Sequence, residues 1–450
     1  MREVKKLHHL AIPIFFETLL FMVLRQADII MLSQFDDRAA GAVGASFQLF
    51  GTMNIIFAII SAGTAVLVAQ YVGAQNKVEI ERVSSVSLAV NLIIGIILSL
   101  VIFIFADSIL IALGVTDDLL LYASDYMKIA GGALFIQAVL NTLMAIIRSH
   151  GYTKESMKIS VSMNILNVIG NAIFIFGLFG VPVLGVKGVA IATVGGKVFA
   201  TIVAFIFLFK YVLPIDMFTH IMDKPILYFK KLFSFGFPAA MENMSYSLYQ
   251  AAIMYVILNY LGDMAYITRT YVWTITWFVM VFAIAIGQAN QIMIGQLIGS
   301  GKVDEAYDVG LKNFKIAMLL SVFASIALFL SARYLMRIYT SDQDIILLGA
   351  STLAVAAFSE PGRTFNIVFI SGLRGAGDVY FPVVMAIFSM WGVGLVGAYV
   401  FGVVLGYGLP GIWMGLLIDE WFRGVCMLQR WRSRKWTGKA VVDKEVVEAV

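Results

Sequence analysis

The chain has 450 residues, of which 60% are hydrophobic and 13% charged, and its formal net charge is +4. Soluble domains carry about 25% charged residues, so this composition, with a mean hydropathy of +0.90, excludes a soluble globular protein. Unbroken apolar runs of about 20 residues exclude a transmembrane β-barrel, whose strands alternate in polarity over about ten residues. The one cysteine, Cys426, excludes a disulfide framework or a cysteine-based metal cluster. The composition therefore predicts an all-α polytopic membrane protein.

Apolar runs predict twelve transmembrane helices in chain order, at residues 10–33, 42–71, 86–111, 119–147, 157–179, 186–211, 234–261, 266–298, 308–332, 345–373, 379–403 and 408–427. Lysine and arginine concentrate in the loops after spans 2, 4, 6, 8 and 10 and at both ends of the chain. The positive-inside rule then places both termini in the cytoplasm. The longest link, 213–231, alternates apolar and charged residues and predicts a short amphipathic helix in the cytoplasmic interface.

The two halves of the chain repeat four short motifs at a spacing of 223 to 226 residues. The pairs are Pro13-x-x-x-Glu17 with Pro238-x-x-x-Glu242, Gln70-x-x-Gly73 with Gln296-x-x-Gly299, Arg148-x-x-Gly151 with Arg374-x-x-Gly377, and Gly185-x-x-Gly188 with Gly408-x-x-Gly411. Because each half has an even number of spans, both halves enter the membrane from the same side. We expect two six-helix bundles related by a pseudo-twofold axis along the membrane normal. The predicted domains are an N-lobe at 1–212, a cytoplasmic interfacial linker at 213–231, a C-lobe at 232–427 and a basic cytoplasmic tail at 428–450.

The first span carries three charges, Glu17, Arg25 and Asp28. A carboxylate inside a spanning helix costs a few kcal/mol, so such a residue usually faces a protein interior or a wet cavity. In one interpretation, Arg25 and Asp28 form a structural ion pair. In the other, Asp28 gains and loses a proton or a metal cation. The two interpretations are compatible if Arg25 tunes Asp28.

Other polar side chains inside the spans have two interpretations each. Asn167 and Asn171 lie four apart on one helix face and either bridge helices or complete a cation site beside Asp28. Glu17 and Glu242 follow prolines by four residues. They either bond groups freed by the helix irregularity or act as cytoplasmic cavity acids.

Span 10 contains Glu360 and Arg363, three residues apart, which either neutralise each other or take part in ion coupling. Aromatic residues pair at helical spacing in spans 7 and 8. They either pack in the core and against lipid or line a cavity that attracts organic cations. Adaptable methionines favour a cavity for loosely defined ligands. The substrate-cavity candidates are Met31, Tyr246, Tyr249, Trp273 and Trp277.

Seven sequence segments together resemble the multidrug and toxic compound extrusion (MATE) family, of the multidrug/oligosaccharidyl-lipid/polysaccharide flippase superfamily. They are LAIP with Asp28 in span 1, VAQYVGAQN at 68–76, SHGYTK after Arg148, MNILNVIGNAIFIFG at 163–177, GVKGVAIAT at 185–193, GQLIGSGKVDEA at 295–306 and GLRGAGD at 372–378. The resemblance covers about residues 8–427. It implies two six-helix bundles around a central cavity, and export of organic cations in exchange for protons or sodium.

The resemblance also implies roles for single residues. Asp28 is the first-span acid of the N-lobe cation site, and Asn167 and Asn171 occupy the polar positions that complete it. One branch of the family has a second aspartate where this chain has Asn171, and its absence removes a negative charge. Another branch uses acids in spans 7 and 10, the spans that hold Glu242 and Glu360.

The sequence contains no GxxxxGK[ST] phosphate-binding loop, no HExxH and no Ser/His/Asp grouping. We therefore predict that the protein is not an enzyme and has no catalytic residues, metal site or cofactor, so an ion gradient must supply the energy. The predicted function is antiport of organic cationic and amphipathic compounds against protons by alternating access. We expect a multi-pass monomer in the cell membrane that does not bind nucleic acid. The alternatives are a sodium-coupled multidrug antiporter and a lipid-linked precursor flippase.

Overall fold

The computed structural model of the chain describes residues 5–115 and 117–442. Within helices, the side chains of residues 25–29, 35, 37–40, 42, 45, 117 and 118 are outside that description. Arg25 and Asp28 belong to this group. The predicted ion-coupling role of Asp28 and its tuning by Arg25 therefore lie outside the described residues.

Twelve helical segments follow one another in the described chain, as the apolar runs predict. They are α1 Leu7–Phe35, α2 Asp37–Gly73, α3 Lys77–Ala112, α4 117–149, α5 Thr153–Phe176, α6 Gly185–Tyr211, α7 Pro225–Tyr260, α8 Gly262–Gly299, α9 Val303–Tyr339, α10 Gln343–Gly375, α11 Tyr380–Val404 and α12 Gly408–Arg432. The predicted all-α fold is confirmed.

Ten of these segments, counted over the described residues, are long and apolar enough to cross a membrane when the bent α4 is taken as one span. The two others, α7 and α12, have 36 and 25 residues. At 1.5 Å per residue both exceed a hydrocarbon core of about 30 Å. Their composition sets them apart because they carry polar side chains within the span, and α12 contains Asp419, Glu420 and Arg423.

Several helices begin or end outside the predicted spans. The predicted amphipathic helix of the link is a 3₁₀ segment, Ile215–Met222, and α7 already begins at Pro225, nine residues before the predicted 234. Proline is favoured in the first turn of a helix, where its missing N–H leaves no bond unmade. Likewise α12 continues to Arg432. Helical hydrogen bonding continues into polar segments. Hydropathy therefore predicts the part of the chain that crosses the membrane but not where the helix begins and ends.

A sharp bend divides α4. Asp117–Tyr126 leads into a π-helical turn at Met127–Gly131, and the second part, Leu134–Ser149, departs at 47°. Two further π-helical stretches lie in α11, at Met390–Leu395 and Val400–Val404. Such turns shift the side chains that follow to a different face of the helix and are frequent near functional sites.

The chain divides into two compact units. The N-unit comprises Phe16–Val72 and Asn76–Ala240, and the C-unit comprises Met1–Phe15, Gly73–Gln75 and Met241–Val450. Each unit has its own buried core, which in the N-unit centres on residues such as Phe57 and Leu110 and in the C-unit on residues such as Trp413 and Met336. Trp436, beyond the end of α12, is buried in the C-unit and stacks on Trp431 at 4.5 Å between ring centroids.

Candidate functional site

The N-unit encloses a cavity of about 510 Å³ between α1, α2, α4, α5 and α6. Its size is within the range of small-molecule sites. Its wall combines aromatic rings, methionines, amides and three charged side chains. The lining residues are Glu17, Thr18, Phe21, Phe47, Phe50, Gly51, Asn54, Tyr126, Gln137, Leu140, Asn141, Met144, Arg148, Ser160, Met163, Asn164, Asn167, Thr193, Lys197 and Ala200.

Glu17 lies in the cavity wall with partners from two helices. The hydroxyl of Ser160 donates to Glu17 Oε1 at 2.6 Å, and that of Ser156 to Oε2 at 3.4 Å. Arg148 Nη2 lies 3.7 Å from Oε1. The two serines are four residues apart on α5 and therefore face the same way. The charge of Glu17 is thus balanced within the cavity.

Amide side chains form a second polar feature of the cavity. Gln137 Nε2 donates to Asn141 Oδ1 at 2.6 Å, and Asn141 Nδ2 to Asn54 Oδ1 at 3.4 Å. Asn54 in turn donates to the carbonyl oxygen of Phe50 at 3.0 Å. These amides were not among the predicted site residues. The sequence does indicate two of them, since Gln137 and Asn141 are polar residues four apart within an apolar span.

The two predicted span-5 amides occupy different environments. Asn167 lines the cavity and donates to Thr193 Oγ1 at 3.1 Å. Asn171 is fully buried one turn further along α5 and is not part of the cavity wall. The structure therefore brings Asn167 to the cavity, and the role of both amides in ion coupling stays a prediction.

Lys197 projects into the same cavity from α6. Its side chain is half-buried, and its ammonium has no salt bridge or hydrogen bond to any side chain in the described part of the chain. The neighbouring Gly196 lets α6 approach α5, because a Cβ there would lie 3.0 Å from the carbonyl oxygen of Met163. An unpaired ammonium in a spanning segment is costly unless it meets water or a ligand.

The repeated motifs meet as ion pairs in both units. In the C-unit, Arg374 Nη2 lies 2.6 Å from Glu242 Oε2, the counterpart of Arg148 and Glu17 in the N-unit. The glycine of each Arg-x-x-Gly motif, Gly151 or Gly377, has a positive φ, 83° and 93°, a conformation that favours glycine. The repeat therefore encodes one ion pair and one turn in each half.

A cluster of five charged side chains, called here the charge cluster, lies inside the C-unit. Its members are Glu360 and Arg363 on α10 and Asp419, Glu420 and Arg423 on α12, all buried. Arg363 Nη1 is 2.7 Å from Glu360 and its Nε 3.3 Å from Glu420. Arg423 Nη2 is 2.6 Å from Asp419 and 3.1 Å from Glu420. Mutual neutralisation of Glu360 and Arg363, one of the two interpretations, is present but is part of this larger network.

The charge cluster contains three carboxylates and two guanidinium groups, so it has one negative charge in excess when all are ionised. Ser389 and Asn366 donate to Asp419 Oδ1 at 2.5 Å and to Glu420 Oε2 at 3.1 Å. Three buried polar atoms at the cluster have no hydrogen-bond partner among the described residues: Tyr249 OH, Asn366 Oδ1 and Arg423 Nε. The α12 members were missed from the sequence, although three charges within one predicted span were visible.

The predicted substrate-cavity aromatics do not line the N-unit cavity. Tyr246 and Tyr249 lie 6.4 Å apart between ring centroids, and Trp273 and Trp277 lie 6.5 Å apart. Tyr249 is buried in the C-unit core, and the guanidinium of Arg269 sits 5.4 Å from the Trp273 ring centroid. Met31 packs at the edge of the N-unit core. Their predicted contact with substrate stays a prediction.

Membrane-length helices in two units, each with charged side chains in its interior or in a cavity wall, define a polytopic membrane protein. The sequence profile of the MatE family matches residues 13–173 and 238–400, one segment in each half. The chain belongs to the MatE family, whose members are transporters and not enzymes.

Relatives match along nearly the whole chain. An uncharacterized transporter of Bacillus subtilis (strain 168), YisQ, is 39% identical over 429 residues, which cover 95% of this chain and 94% of the relative. A probable multidrug resistance protein of Thermotoga maritima, NorM, is 26% identical over 99% of this chain and 95% of its own. Among solved structures, a MATE transporter in the bent conformation superposes with a TM-score of 0.86 at 22% identity, covering 95% of this chain and 94% of that chain. This structural similarity shows that the two proteins share a fold.

Proposed function

We propose that the protein is a multidrug exporter of the cell membrane that moves small amphipathic organic compounds outward in exchange for protons. Support comes from the family and from relatives such as NorM of Thermotoga maritima, named a probable multidrug resistance protein. Organic cations remain the substrates predicted from the sequence. The positive-inside pattern of the loops supports cytoplasmic termini.

The observation that carries the proposed coupling is the excess carboxylate in the charge cluster. Among the described residues, the cationic partners of Glu360, Asp419 and Glu420 are Arg363 and Arg423. An uncompensated negative charge in a spanning segment is costly, and a bound proton removes it. Glu420 on α12 contacts both Arg363 on α10 and Arg423 on α12. A proton that binds in the charge cluster can therefore change how α10 and α12 are held together.

Asp28 is the second proposed coupling residue, on the sequence argument for a carboxylate in the first span. Asn167 supports this proposal because it is on the cavity wall. Sodium is the alternative coupling ion, since a monovalent cation would also remove one negative charge.

Transport into proteoliposomes under imposed gradients tests the proposal. We expect a pH gradient alone to drive uptake of a rhodamine ester with choline replacing sodium throughout. Asp28→Asn and Glu360→Gln should each reduce that uptake at least tenfold, whereas Glu305→Gln, on the exposed start of α9, should leave it unchanged.

Each other outcome has a defined meaning. Uptake driven only by a sodium gradient would replace the proton by sodium as coupling ion. Full pH-driven uptake by both variants would exclude Asp28 and Glu360 from coupling. No gradient-driven uptake of several amphipathic dyes by the folded protein would overturn the exporter itself.

A further inference from the structure

The first turns of α7 have an inner face that is fixed to the N-unit. Tyr228, Leu232 and Gly236 follow one another at four-residue spacing and therefore lie on one side of the helix. Tyr228 OH donates to Glu79 Oε1 at 2.9 Å, and Leu232 is fully buried. A Cβ at Gly236 would overlap the carbonyl oxygen of Ile59. These contacts leave the opposite side of the helix start facing outward.

The outer face of these turns is apolar and exposed. Phe229, Phe233 and Phe237 repeat at four-residue spacing, with 5.9 and 4.8 Å between successive ring centroids. Each of the three is more than a third exposed, and Ile226 and Met222 at the same end reach 70% and 82%. In a chain that crosses a membrane, an exposed apolar surface of this extent indicates contact with lipid.

Two lysines at the same end of α7 contact no acid among the described residues. Lys230 lies one turn before Phe233 on the outer face, and Lys224 directly precedes the helix. Both side chains are exposed. Lys231 is different because it turns inward, with its Nζ 3.3 Å from Tyr71 OH. The outer face therefore combines a row of phenylalanine rings with two ammonium groups.

The acids of the linker are engaged by other groups or lie further back. Asp223 adjoins Lys224 but is bound by His220 and Arg82, at 2.8 and 3.3 Å. Asp216 is exposed on the 3₁₀ segment that precedes them. The ammonium groups at the start of α7 therefore remain available to a partner that carries negative charge.

We infer that this outer face binds an anionic phospholipid of the cytoplasmic leaflet. The two ammonium groups pair with the headgroup phosphate, and the phenylalanine rings contact the acyl chains. The face is called here the linker surface, and its members are Lys224, Ile226, Phe229, Lys230, Phe233 and Phe237.

The spacing and the charge of the linker surface both fit this partner. The seven residues from Lys230 to Phe237 span about 10 Å of helix, which matches the depth from the headgroups to the upper part of the acyl chains. Basic residues near the cytoplasmic leaflet are attracted to anionic lipids. A choline headgroup adds a positive charge beside the phosphate, which the two lysines disfavour. The inference does not depend on what the protein transports.

A fluorescent label beside the linker surface tests the inference. Leu227→Cys in a Cys426→Ser background places the label between the two lysines, where Leu227 is exposed. The labelled full-length protein is reconstituted in nanodiscs of neutral lipid with increasing amounts of phosphatidylglycerol or phosphatidylcholine. Both added lipids carry the same quenching spin label on an acyl chain. Half-maximal quenching should need about fivefold less phosphatidylglycerol than phosphatidylcholine.

Variants of the labelled protein assign the preference to the two lysines. Lys224→Gln/Lys230→Gln should bring the two lipids within about twofold, and Lys224→Arg/Lys230→Arg should keep most of the preference. Lys154→Gln/Lys158→Gln is the matched control, because it removes the same charge from two exposed lysines at the start of α5. It should keep the full preference.

Three results would overturn the inference. The first is equal quenching by the two lipids in the labelled parent, and the second is an unchanged preference in Lys224→Gln/Lys230→Gln. The third is an equal loss of preference in Lys154→Gln/Lys158→Gln, since net charge alone would then explain the effect. Free glycerol phosphate at millimolar concentration should leave the quenching unchanged. Displacement of phosphatidylglycerol by it would assign the linker surface to a soluble phosphate and overturn the lipid as partner.

Discussion

The N-unit cavity and the C-unit charge cluster differ in how they accommodate charged side chains. Both place charged side chains inside membrane-length helices, and both units contain the repeated glutamate–arginine pair. Beyond that pair, Lys197 is the charged side chain of the cavity wall that contacts no opposite charge among the described residues. The charge cluster has five buried charges in mutual contact, with one negative charge in excess.

The difference suggests a division of tasks between the two units. A charge beside open space is available to a ligand, and its removal should leave the fold intact. A charge inside a network supports its neighbours, and its removal leaves opposite charges buried without a partner. The same class of substitution should therefore have opposite effects on stability in the two regions.

The largest expected effect is at Arg423. Arg423→Met leaves Asp419 and Glu420 without the guanidinium that both contact, which for a buried pair costs about 3 to 5 kcal/mol of unfolding free energy. We expect a large fall in the melting temperature in detergent, or failure to recover folded protein. Arg432→Met, on the exposed end of the same helix, should behave as wild type. Wild-type stability of Arg423→Met would show that the network does not support the C-unit.

The second prediction has the opposite sign. Lys197→Met removes an ammonium that contacts no acid among the described residues, which should stabilise the protein by up to about 3 kcal/mol. Thermal unfolding of the purified protein, compared with Lys210→Met, measures this gain. A loss of stability would mean that the Lys197 ammonium already has a stabilising environment, and the contrast between the two regions would disappear.

The repeated pair gives a third, smaller comparison. Glu242→Gln removes the negative charge 2.6 Å from Arg374 Nη2 and should cost about 1 to 3 kcal/mol of stability. Glu17→Gln should cost less, since Arg148 is 3.7 Å away and the hydroxyl of Ser160 can still donate to the amide oxygen. Melting temperatures of the two variants, with Glu305→Gln as control, should follow this order. The reverse order would show that the cavity depends on Glu17 more than its contacts indicate.

The smallest expected effect lies outside both regions, in the connecting segment before α7. The contact from His220 to Asp223 Oδ2, at 2.8 Å, lowers the pKa of Asp223, and Arg82 adds to the effect. Because the pKa is lower in the folded state, this stabilisation is present above the unfolded pKa and is lost as pH falls through the folded one. Asp223→Asn should therefore lower the melting temperature slightly at neutral pH. The difference from wild type should begin to shrink near the ordinary carboxyl pKa of 3.8 and vanish below the lower pKa of the folded state.

A difference that grew instead as pH fell would contradict this assignment. A difference as large as that of Arg423→Met would show that charged contacts near the membrane surface count as much as buried ones, and would weaken the comparison between the two units.

Much of the fold was predictable because an apolar run of membrane length is stable in lipid as a helix, in which the backbone N–H and C=O groups are hydrogen-bonded to one another. The spacing of Glu17 and Glu242, and of Arg148 and Arg374, predicted the repeat, and the structure adds that these residues pair within each unit. The bend in α4 was not predictable from hydropathy, because both of its parts are apolar.

The site was predictable only in part. Glu360 and Arg363 could be paired from their spacing on one helix. Their contacts with α12 depend on which faces of two distant segments meet, and that information is not in local spacing. The candidate at Asp28 lies outside the described side chains, so it still stands on the sequence argument alone.

The sequence by itself determined the class of the protein, the number and order of its helices, its repeat and its family, since each follows from local composition or from motifs. Only the tertiary structure decided which charges are matched, because pairing depends on helix faces brought together across tens or hundreds of residues. The acids of α12 show this: their charges are visible in the sequence, but their contacts with Arg363 on α10 appear only when the two helices are packed together.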